Sequence, residues 1–378
     1  MSPTSFNNRI LFVLPAFYRN GAVDLVVNLS EELTKLDRSV EILAINQQSS
    51  YANLPNESVT VTIPLRENQS PQKNLLTYLN QLIKSVSQAD IVFLPWENGP
   101  AFTYPSLIAR MLGKPTVAIV QNNIQKTSVD YPSAIAPHLI RWAYWQTKAV
   151  VCVSQDLKKI VASELHLNPK KVISISNGMN LEAIRAKAKQ PCEIEFERND
   201  LPFMVAIGRL ASQKGFDLLI ESHAAVIKRG IAHRLVIIGE GAEFAALSDL
   251  AERLGISRSV TFLGFVENPL PILVKASLFC LSSRYEGLPL SLIEAAILGI
   301  PTVATDCPTG PREILADGLY GDLVTTESVA ALTNAIANYL QSPETLIEKA
   351  KASAENAERL SMRNCAEKYI RLIDDLTF

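Results

Sequence analysis

The sequence predicts an α/β protein with two doubly wound domains, each containing a parallel β-sheet. Three observations support this prediction. Short β-branched patterns alternate with longer amphipathic patterns, the short patterns are almost continuously apolar, and the alternation stops once and then restarts. Continuously apolar strands are typical of parallel sheets that helices cover on both faces. Strands that alternate with helices favour right-handed crossovers between parallel neighbours.

The first half of the chain contains the strand patterns of the first domain. They are RILFVL (9–14), VEILAI (40–45), DIVFL (90–94), TVAIV (116–120), AVVCV (149–153) and KVISI (171–175). The helix patterns between them include AVDLVVNLSEELTKL (22–36) and LLTYLNQLIKSV (75–86). Apolar residues recur in these segments at the spacing of one helix face.

The interruption covers residues 185–202, which are charged, contain prolines and lack periodicity, so we interpret them as a linker. The strand patterns then restart as FMVAIG (203–208), RLVIIG (234–239), VTFLGF (260–265), LFCLSS (278–283) and PTVAT (301–305). The stretch 343–376 is strongly helical. We therefore expect one domain over residues 1–190 and a second over residues 200–356.

Composition excludes several classes of protein. The chain has 378 residues, of which 48% are hydrophobic, and this content is too high for a disordered chain. The 36 basic and 38 acidic residues give a net charge of −2, which provides no general field for nucleic acid. The apolar run of residues 10–15 is too short for a secretory signal, and no segment approaches the ~20 apolar residues of a spanning helix. We therefore expect a cytoplasmic location.

The cysteines and histidines are not spaced like the ligands of a metal ion. The cysteines are scattered and lack a CxxC pair, and the histidines form no HExxH motif. The sequence therefore predicts reduced thiols and no metal site built by the protein. The cysteines are Cys152, Cys192, Cys280, Cys307 and Cys365, and the histidines are His138, His166, His223 and His233.

The candidate site residues follow strand patterns, where parallel sheets bind ligands. In IGRLASQKGFDLLI (207–220), Arg209 and Lys214 stand between a strand and a helix. A guanidinium and an ammonium at such a place suit a diphosphate, and Gly208 and Gly215 allow close approach of the backbone. The alternative is a pair of solvated surface cations, and spacing alone does not decide between the two.

A second candidate segment is RYEGLPLSLIEAAILGIPTVATD (284–306). Glu286 closes the loop after a strand, and Glu294 follows eight residues later on the next helix, a spacing of about two helical turns. A carboxylate there can accept two hydrogen bonds from a vicinal diol, as acidic residues do for ribose. Glu286 has the alternative role of a first-turn helix acid, whereas an unpaired Glu294 among apolar neighbours would be costly.

The loop after the first strand pattern, AFYRNGAVDLVV, is a weaker candidate. Gly21 starts a helix, as in phosphate-binding loops, but one glycine also fits an ordinary tight turn. The loop does not match GxGxxG, and the chain contains no Walker A motif. The pair Asn177-Gly178 in SISNGMN (174–180) is a turn signal in its own right.

These motifs together resemble the family 4 glycosyltransferases, which are retaining enzymes of the GT-B fold. The matching pieces are VSQDL (153–157), SNGMN, GRLASQKG, IGEG (238–241), FLGF (262–265), EGLPLSLIEA and GIPTVATD. The segment DCPTGPREIL (306–315) further resembles a subgroup that builds surface and N-linked glycans. The resemblance implies two Rossmann-like domains that face a central cleft, with a helix of about 357–378 returning to the first domain.

The resemblance also implies residue roles. Arg209 and Lys214 would bind the donor diphosphate and stabilise the leaving group, and Glu286 would contact hydroxyls of the donor sugar. Glu294 would hold the ribose hydroxyls. The implied contacts of the remaining residues are as follows: Gly208 and Gly21 with the diphosphate, Gly264 and Phe265 with the base, and the backbone of Gly287, Leu288, Pro289 and Leu290 with the sugar and phosphate.

The chain departs from the family pattern on the acceptor side. Two glycines in the first loop are replaced by Asn20-Gly21, and the histidine after the KPxV strand is replaced by Gln121, which Asn122 follows. An amide cannot act as a base. In the family, however, a donor phosphate oxygen is usually described as taking the acceptor proton. We expect Asn20, Gln121 and Asn122 on the acceptor side.

The sequence therefore predicts a metal-independent, retaining hexosyltransferase that needs no cofactor. We expect a UDP-sugar or other nucleotide-sugar donor, an oligosaccharide or lipid-linked acceptor, and no nucleic acid partner. A sugar-nucleotide epimerase, a degenerate scaffold subunit and a two-domain periplasmic-type binding protein remain alternatives. The segment APHLIRWAYWQTKAVV (136–151) is either a helix packed on its own sheet, which we favour, or an interfacial helix at the inner face of the membrane.

Overall fold

The computed structural model describes residues 9–18, 21–47, 54–65, 69, 73–96, 99–121, 136–191 and 201–377. The chain forms two compact units. Unit 1 consists of Met1–Gly178 and Met362–Phe378, and unit 2 consists of Met179–Ser361. Both units are α/β, as the sequence predicts. In the described part of the chain, no helix is both long enough and apolar enough to span a bilayer.

Unit 1 contains a sheet of seven parallel strands in the order β3-β2-β1-β4-β5-β6-β7. The strands are β1 Arg9–Phe17, β2 Ser39–Gln47, β3 Thr60–Thr62, β4 Ile91–Leu94, β5 Thr116–Val120, β6 Ala149–Cys152 and β7 Val172–Ser174. Every residue of β4, β5 and β6 is buried. Burial on both faces explains why these segments are continuously apolar in the sequence.

Helices cover both faces of this sheet. They are α1 Gly21–Lys35, α2 Leu75–Gln88, α3 Pro100–Met111, α4 Ala136–Gln146, α5 Gln155–Glu164 and, from the end of the chain, α14 Met362–Thr377. Helix α14 packs beside α1. Its Tyr369 is fully buried and meets Phe93 of β4 edge to face, with ring centroids 5.7 Å apart. The last helix therefore completes the core of unit 1.

Unit 2 repeats the architecture with six parallel strands in the order β10-β9-β8-β11-β12-β13. The strands are β8 Phe203–Ile207, β9 Arg234–Ile238, β10 Val260–Phe262, β11 Leu278–Leu281, β12 Thr302–Thr305 and β13 Asp322–Val324. The helices are α6 Leu181–Ala188, α7 Phe216–Lys228, α8 Phe244–Arg253, α9 Leu270–Leu273, α10 Leu290–Leu298, α11 Pro311–Ile314, α12 Val329–Gln341 and α13 Glu344–Glu355.

The structure differs from the sequence analysis at two edge strands. Strands β3 and β13 have three residues each and lie at sheet edges, and the sequence did not indicate them. Their residues are half-buried or exposed, so they lack the apolar run that marks a central strand. Only their pairing with β2 and β12 makes them strands.

Residues 179–190 lie in unit 2, whereas the sequence analysis assigned them to the first domain. Helix α6 packs Ile184 and Ala188 into the core of unit 2. Asn180 caps this helix, because its Oδ1 accepts a hydrogen bond from the Ala183 amide at 3.0 Å. The interpretation of 185–202 as a linker therefore does not hold for residues 185–188, and residues 192–200 lie outside the described part of the chain.

Candidate functional site

The candidate donor residues lie at the carboxyl edge of the unit 2 sheet. Strands β8 and β11 are neighbours at the point where the strand order reverses. In doubly wound sheets, ligands bind at this switch point, beyond the carboxyl ends of the strands. The loop after β8 contains Arg209 and Lys214, and the loop after β11 contains Glu286. The fold therefore brings together two segments that are distant in the sequence.

The loop after β8 is tightly folded against the loop after β11. A short 3₁₀ turn covers Ser212–Lys214, and Gly215 follows with a φ of +60°. A Cβ atom on Gly215 would lie 2.2 Å from the Ser282 carbonyl oxygen, so only glycine fits there. The Ser282 hydroxyl donates to the Lys214 carbonyl at 2.9 Å. These contacts fix the backbone that carries Lys214.

Lys214 and Glu286 form an ion pair at the centre of the site. The Lys214 Nζ lies 2.7 Å from Glu286 Oε1, and the Glu286 side chain is only 5% exposed. The Ser283 hydroxyl donates to the same carboxylate oxygen at 2.5 Å. A buried carboxylate needs such partners, because an uncompensated buried charge is costly. The ammonium has three donors, so it can also face an anion from the open side.

Arg209 differs from Lys214 in its surroundings. It is exposed, and among the described residues its guanidinium has no hydrogen bond or ion pair. It follows Gly208, where an added Cβ would lie 3.2 Å from Lys214 Cε. The stem of Lys214 therefore passes directly over Gly208. The exposed guanidinium of Arg209 and the half-buried ammonium of Lys214 thus belong to one loop after β8, and both are available to an anionic ligand.

The segment from Gly287 to Pro289 leads into helix α10, which begins at Leu290. It is supported by residues 309 and 310, which belong to the segment DCPTGPREIL (306–315). The Thr309 hydroxyl donates to the Glu286 carbonyl. A Cβ on Gly310 would lie 2.6 Å from Pro289 Cδ, so its glycine permits this contact. Leu290 is exposed at the helix start, where free N–H groups suit an anion.

Glu294 lies on helix α10, one turn after Leu290. Burial raises the pKa of its carboxyl group to about 7, and the nearby charge of Lys187 opposes this shift. Among the described residues no hydrogen bond to this carboxyl is present. A buried carboxyl group with a raised pKa and no hydrogen bond from the described residues can bind hydroxyl groups of a ligand.

Gly264 and Phe265 follow β10 and lie beside Glu240. The Phe265 amide donates to Glu240 Oε1 at 3.3 Å, and Gly264 has a φ of +68°. Gly239 and Gly264 are linked by a backbone hydrogen bond of 2.8 Å. Phe265 is 54% exposed. The sequence did not single out Glu240, although it stands in the matching IGEG segment.

Arg284 is the principal residue that the sequence analysis did not identify. Its guanidinium donates to both carboxylate oxygens of Asp217, at 2.9 and 2.7 Å, and to the Ser212 carbonyl at 2.6 Å. It also pairs with Glu327 at 2.8 Å. Burial raises the pKa of Asp217, but Arg284 outweighs burial and holds this pKa below its usual value. Arg284 thus binds the Lys214 loop to the Glu286 loop.

The unit 1 candidates lie at the carboxyl edge of their own sheet. Gly21 is exposed at the first position of α1, and Gln121 is half-buried directly after β5. Tyr18, at the end of β1, packs edge to face on Trp96 with ring centroids 5.9 Å apart. The candidates Asn20 and Asn122 lie outside the described residues.

Metal ligands do not cluster in the described residues: no group of three or more His, Cys, Asp or Glu side chains there could hold an ion. The expectation that no cofactor is needed stays a prediction from the sequence. Cys152, Cys280, Cys307 and Cys365 are buried and free. Cys192 lies outside the described part of the chain.

Two family models match adjacent parts of the chain. The model described as Glycosyltransferase Family 4 matches residues 19–183, and the model described as Glycosyl transferases group 1 matches residues 192–360. The chain belongs to the family 4 type of glycosyltransferases. The candidate donor residues of unit 2 all fall within the second match.

Related sequences support this membership. An uncharacterized glycosyltransferase of Methanocaldococcus jannaschii is 32% identical over 203 residues, which are 53% of this chain and 50% of that protein. The chain therefore matches about half the length of this relative. N-acetylgalactosamine-N,N'-diacetylbacillosaminyl-diphospho-undecaprenol 4-alpha-N-acetylgalactosaminyltransferase of Campylobacter jejuni is 25% identical over 369 residues, which are 93% of this chain and 96% of that protein.

Solved structures place this glycosyltransferase in the GT-B fold. HepE of Anabaena in complex with UDP has a TM-score of 0.77 and 15% identity, and the match covers 97% of this chain and all of that chain. HepE in complex with UDP-glucose has a TM-score of 0.73 and 16% identity, and the match covers 97% of this chain and 99% of that chain. At this level of identity the likeness shows the fold alone.

Proposed function

We propose that this protein is a retaining glycosyltransferase that moves a hexose or N-acetylhexosamine from a UDP-sugar to a glycan or lipid-linked oligosaccharide. The observation that carries the proposal is the arrangement of Lys214, Glu286 and Arg209 at the switch point of unit 2. Two cations beside a buried carboxylate suit a substrate that joins a diphosphate to a hydroxyl-bearing sugar. The HepE structures with UDP and UDP-glucose support this choice of donor.

The reaction breaks the bond between the sugar anomeric carbon and the donor phosphate oxygen. Negative charge then develops on the UDP leaving group, and Lys214 and Arg209 stabilise it. The new bond joins the anomeric carbon to an acceptor hydroxyl oxygen, whose proton goes to a donor phosphate oxygen. This route needs neither a metal ion nor a protein base, which agrees with an amide at Gln121.

The other parts of the site orient the donor. Glu294 accepts hydrogen bonds from the ribose hydroxyls, and the backbone around Gly264 and Phe265 faces the base. Glu286 accepts hydrogen bonds from the sugar hydroxyls, while its Oε1 is paired with Lys214. The backbone from Gly287 to Leu290 faces the sugar and phosphate at the start of helix α10.

The acceptor and biological role are inferred from relatives. The Campylobacter jejuni relative is named as a transferase acting on a diphospho-undecaprenol-linked sugar, and it aligns over 93% of this chain. We therefore propose that the acceptor is a lipid-linked or surface glycan. We also propose that the chain belongs to the subgroup that shares the GPREIL segment. A cytoplasmic location stays a prediction.

A nucleotide-sugar panel tests the proposal. We expect UDP and one UDP-sugar to raise Tm, because a ligand at a hundred times its Kd stabilises a protein by about 2.7 kcal/mol. UDP release should then require an acceptor glycan and persist in EDTA. The anomeric configuration of the product, read by NMR, should match that of the donor.

Three results would contradict the proposal. If no nucleotide or nucleotide-sugar shifted Tm, unit 2 would not contain the proposed donor site. Conversion of the donor sugar without an acceptor would indicate an epimerase. Donor binding without turnover, over a broad range of glycan acceptors, would indicate a scaffold subunit.

A further inference from the structure

A layer of three helices in unit 1 exposes an unusual number of large apolar side chains. Helix α3 packs against both α2 and α4, so the three helices lie side by side. Leu76 and Met111 are each 78% exposed. The other exposed apolar residues of this layer are Ile83, Leu107, Leu112, Leu139 and Trp145. We call this surface the helix-layer face. Exposed apolar side chains that are gathered on one layer of neighbouring helices are candidates for an interaction site.

The helix-layer face is also one-sided in charge. The sequences of α2, α3 and α4 contain no Asp or Glu, although the chain as a whole has 38 acidic residues. They contain Lys84, Arg110 and Arg141, and Lys114 and Lys148 follow α3 and α4. The net charge of −2 therefore conceals three adjacent helices whose own charged residues are all basic.

A cavity of about 610 Å³ lies where α3 and α4 end. Arg110, Lys114 and Lys148 line it together with Trp145, Thr116 and Thr147, and no carboxylate is among the described residues that line it. Lys171 lies next to it, and its ammonium donates to the carbonyls of Tyr144 and Trp145, each at 2.9 Å. Like charges around one cavity repel, and an anionic group inside it would relieve this repulsion.

This cavity is separate from the candidate acceptor side. Lys114 and Lys148 precede β5 and β6, so they lie at the amino edge of the unit 1 sheet. Gln121 follows the other end of β5, which spans Thr116–Val120. Five residues of extended strand separate the two edges by roughly 16 Å.

The aromatic residue at the rim has the character of an interfacial side chain. Trp145 is half exposed, its Nε1 donates to the Leu165 carbonyl at 3.0 Å, and the Arg141 guanidinium lies 5.2 Å from its ring centroid. Trp with neighbouring Arg and Lys suits the headgroup region of a bilayer. Anionic lipids attract such basic surfaces, while the apolar side chains gain from burial.

We propose that the helix-layer face docks this protein onto an anionic lipid bilayer, with a lipid phosphate seated in the cavity of Arg110, Lys114 and Lys148. The proposal goes beyond the transfer reaction, because binding to the bilayer needs neither donor nor acceptor. An acidic protein partner would fit the charge, but apolar side chains that are spread over three neighbouring helices favour a broad, flat apolar layer.

Vesicle flotation of the full chain tests the proposal. Vesicles of mixed phosphatidylglycerol and phosphatidylcholine should float the protein, vesicles of phosphatidylcholine alone should float much less, and added salt should weaken binding. The double variant Lys114→Gln/Lys148→Gln should reduce partitioning by about thirtyfold, because each lysine near an anionic surface strengthens binding by roughly fivefold. Met111→Ser should also reduce it.

Matched controls lie in unit 2. Lys228→Gln/Lys275→Gln makes the same change in net charge, and Leu319→Ser replaces another exposed apolar residue. Both should bind vesicles as the parent does, and all four variants should keep the parent Tm. Equal flotation with neutral and anionic vesicles, no flotation at all, or equal losses in the layer and control variants would each overturn the proposal. Failure of the donor site would leave these results unchanged.

Discussion

Glu294 holds a carboxyl group whose ionisation is coupled to its proposed role. Its pKa in the free protein is about 7, and only the ionised form accepts two hydrogen bonds from a diol. Ionisation of Glu294 should therefore raise UDP affinity about tenfold from pH 6 to pH 8, in addition to the rise caused by titration of the ligand phosphate. Titration calorimetry at several pH values measures this. In Glu294→Gln the affinity should be lower and should vary only with the titration of the ligand phosphate, and identical pH profiles in the two proteins would refute the role.

The same residue should cost stability. Its pKa in the folded protein lies above the usual 4.5, so the stability of the protein falls as pH rises from about 4.5 to about 7. Glu294→Gln removes this loss while it keeps the shape of the side chain. We expect a higher Tm for this variant than for the parent at pH 8, and equal Tm values at pH 4.5. A lower Tm at pH 8 would show that the carboxylate has a stabilising partner.

Arg209 and Lys214 should separate ligand binding from stability. Arg209 is exposed, so Arg209→Ala should keep the parent Tm and lose at least tenfold in UDP affinity. Lys214→Ala leaves the buried Glu286 without its cation, so it should lose most transfer activity and also lower Tm. Thermal denaturation with and without UDP measures both effects. Full transfer activity in both variants would refute the assignment of the diphosphate site.

At the scale of elements, Arg284 positions the two loops that form the site. Its bonds join the turn of Ser212–Lys214, the first turn of α7 and the loop after β11. Arg284→Gln should raise KM for the donor several-fold, and Arg284→Lys should recover little, because lysine lacks the bidentate geometry. Arg312→Gln is the control, since Arg312 forms exposed ion pairs with Asp306 and Asp317. Equal KM values in all variants would contradict this role.

Another link between elements is a buried pair of histidines in unit 2. His223 Nδ1 on α7 lies 2.8 Å from His233 Nε2 before β9, and His223 Nε2 lies 2.9 Å from the Ser259 hydroxyl before β10. His233 Nδ1 faces the Ile231 carbonyl at 3.0 Å. When both rings are neutral, one chain of donors satisfies all of these contacts.

Protonation of this pair should destabilise unit 2. Burial, together with the neighbouring His233, lowers the pKa of His223 to about 3, and burial also lowers the pKa of His233. These folded-state pKa values lie below the usual 6.5, so stability is full above pH 6.5 and falls as pH decreases towards 3. Tm measured from pH 7 to pH 4.5 should fall less in His223→Gln than in the exposed control His138→Gln. If Tm fell equally with pH in the two variants, protonation of the His223–His233 pair would not be the cause of the loss of stability.

At the scale of the whole molecule, the last helix belongs to the core of the first unit. Met362, Tyr369, Leu372 and Ile373 of α14 are buried there, and each contributes about 1.5–3 kcal/mol. Their sum is comparable to the full stability of a domain. Deletion of residues 362–378 should therefore prevent unit 1 from folding, as measured by solubility and circular dichroism. Deletion of residues 377–378 is the control, and an unchanged Tm in the longer deletion would refute the argument.

The sequence by itself determined the central strands, the two α/β domains and the motif residues that follow β8 and β11. These features follow from local patterns, because burial on both faces dictates apolar runs within a few residues. Edge strands such as β3 carry no such pattern, and residues 179–190 resemble the start of a linker until Ile184 is seen in the core of unit 2.

Only the tertiary structure decided which side chains meet. The Lys214–Glu286 pair joins residues 72 positions apart. The contact of Arg284 with Asp217 likewise forms only because the fold places the loop after β11 against the loop after β8. The one-sided charge of α2, α3 and α4 is written in the sequence, but their position side by side is not. Long-range contacts are fixed by the order of strands in a sheet, which local preferences do not specify.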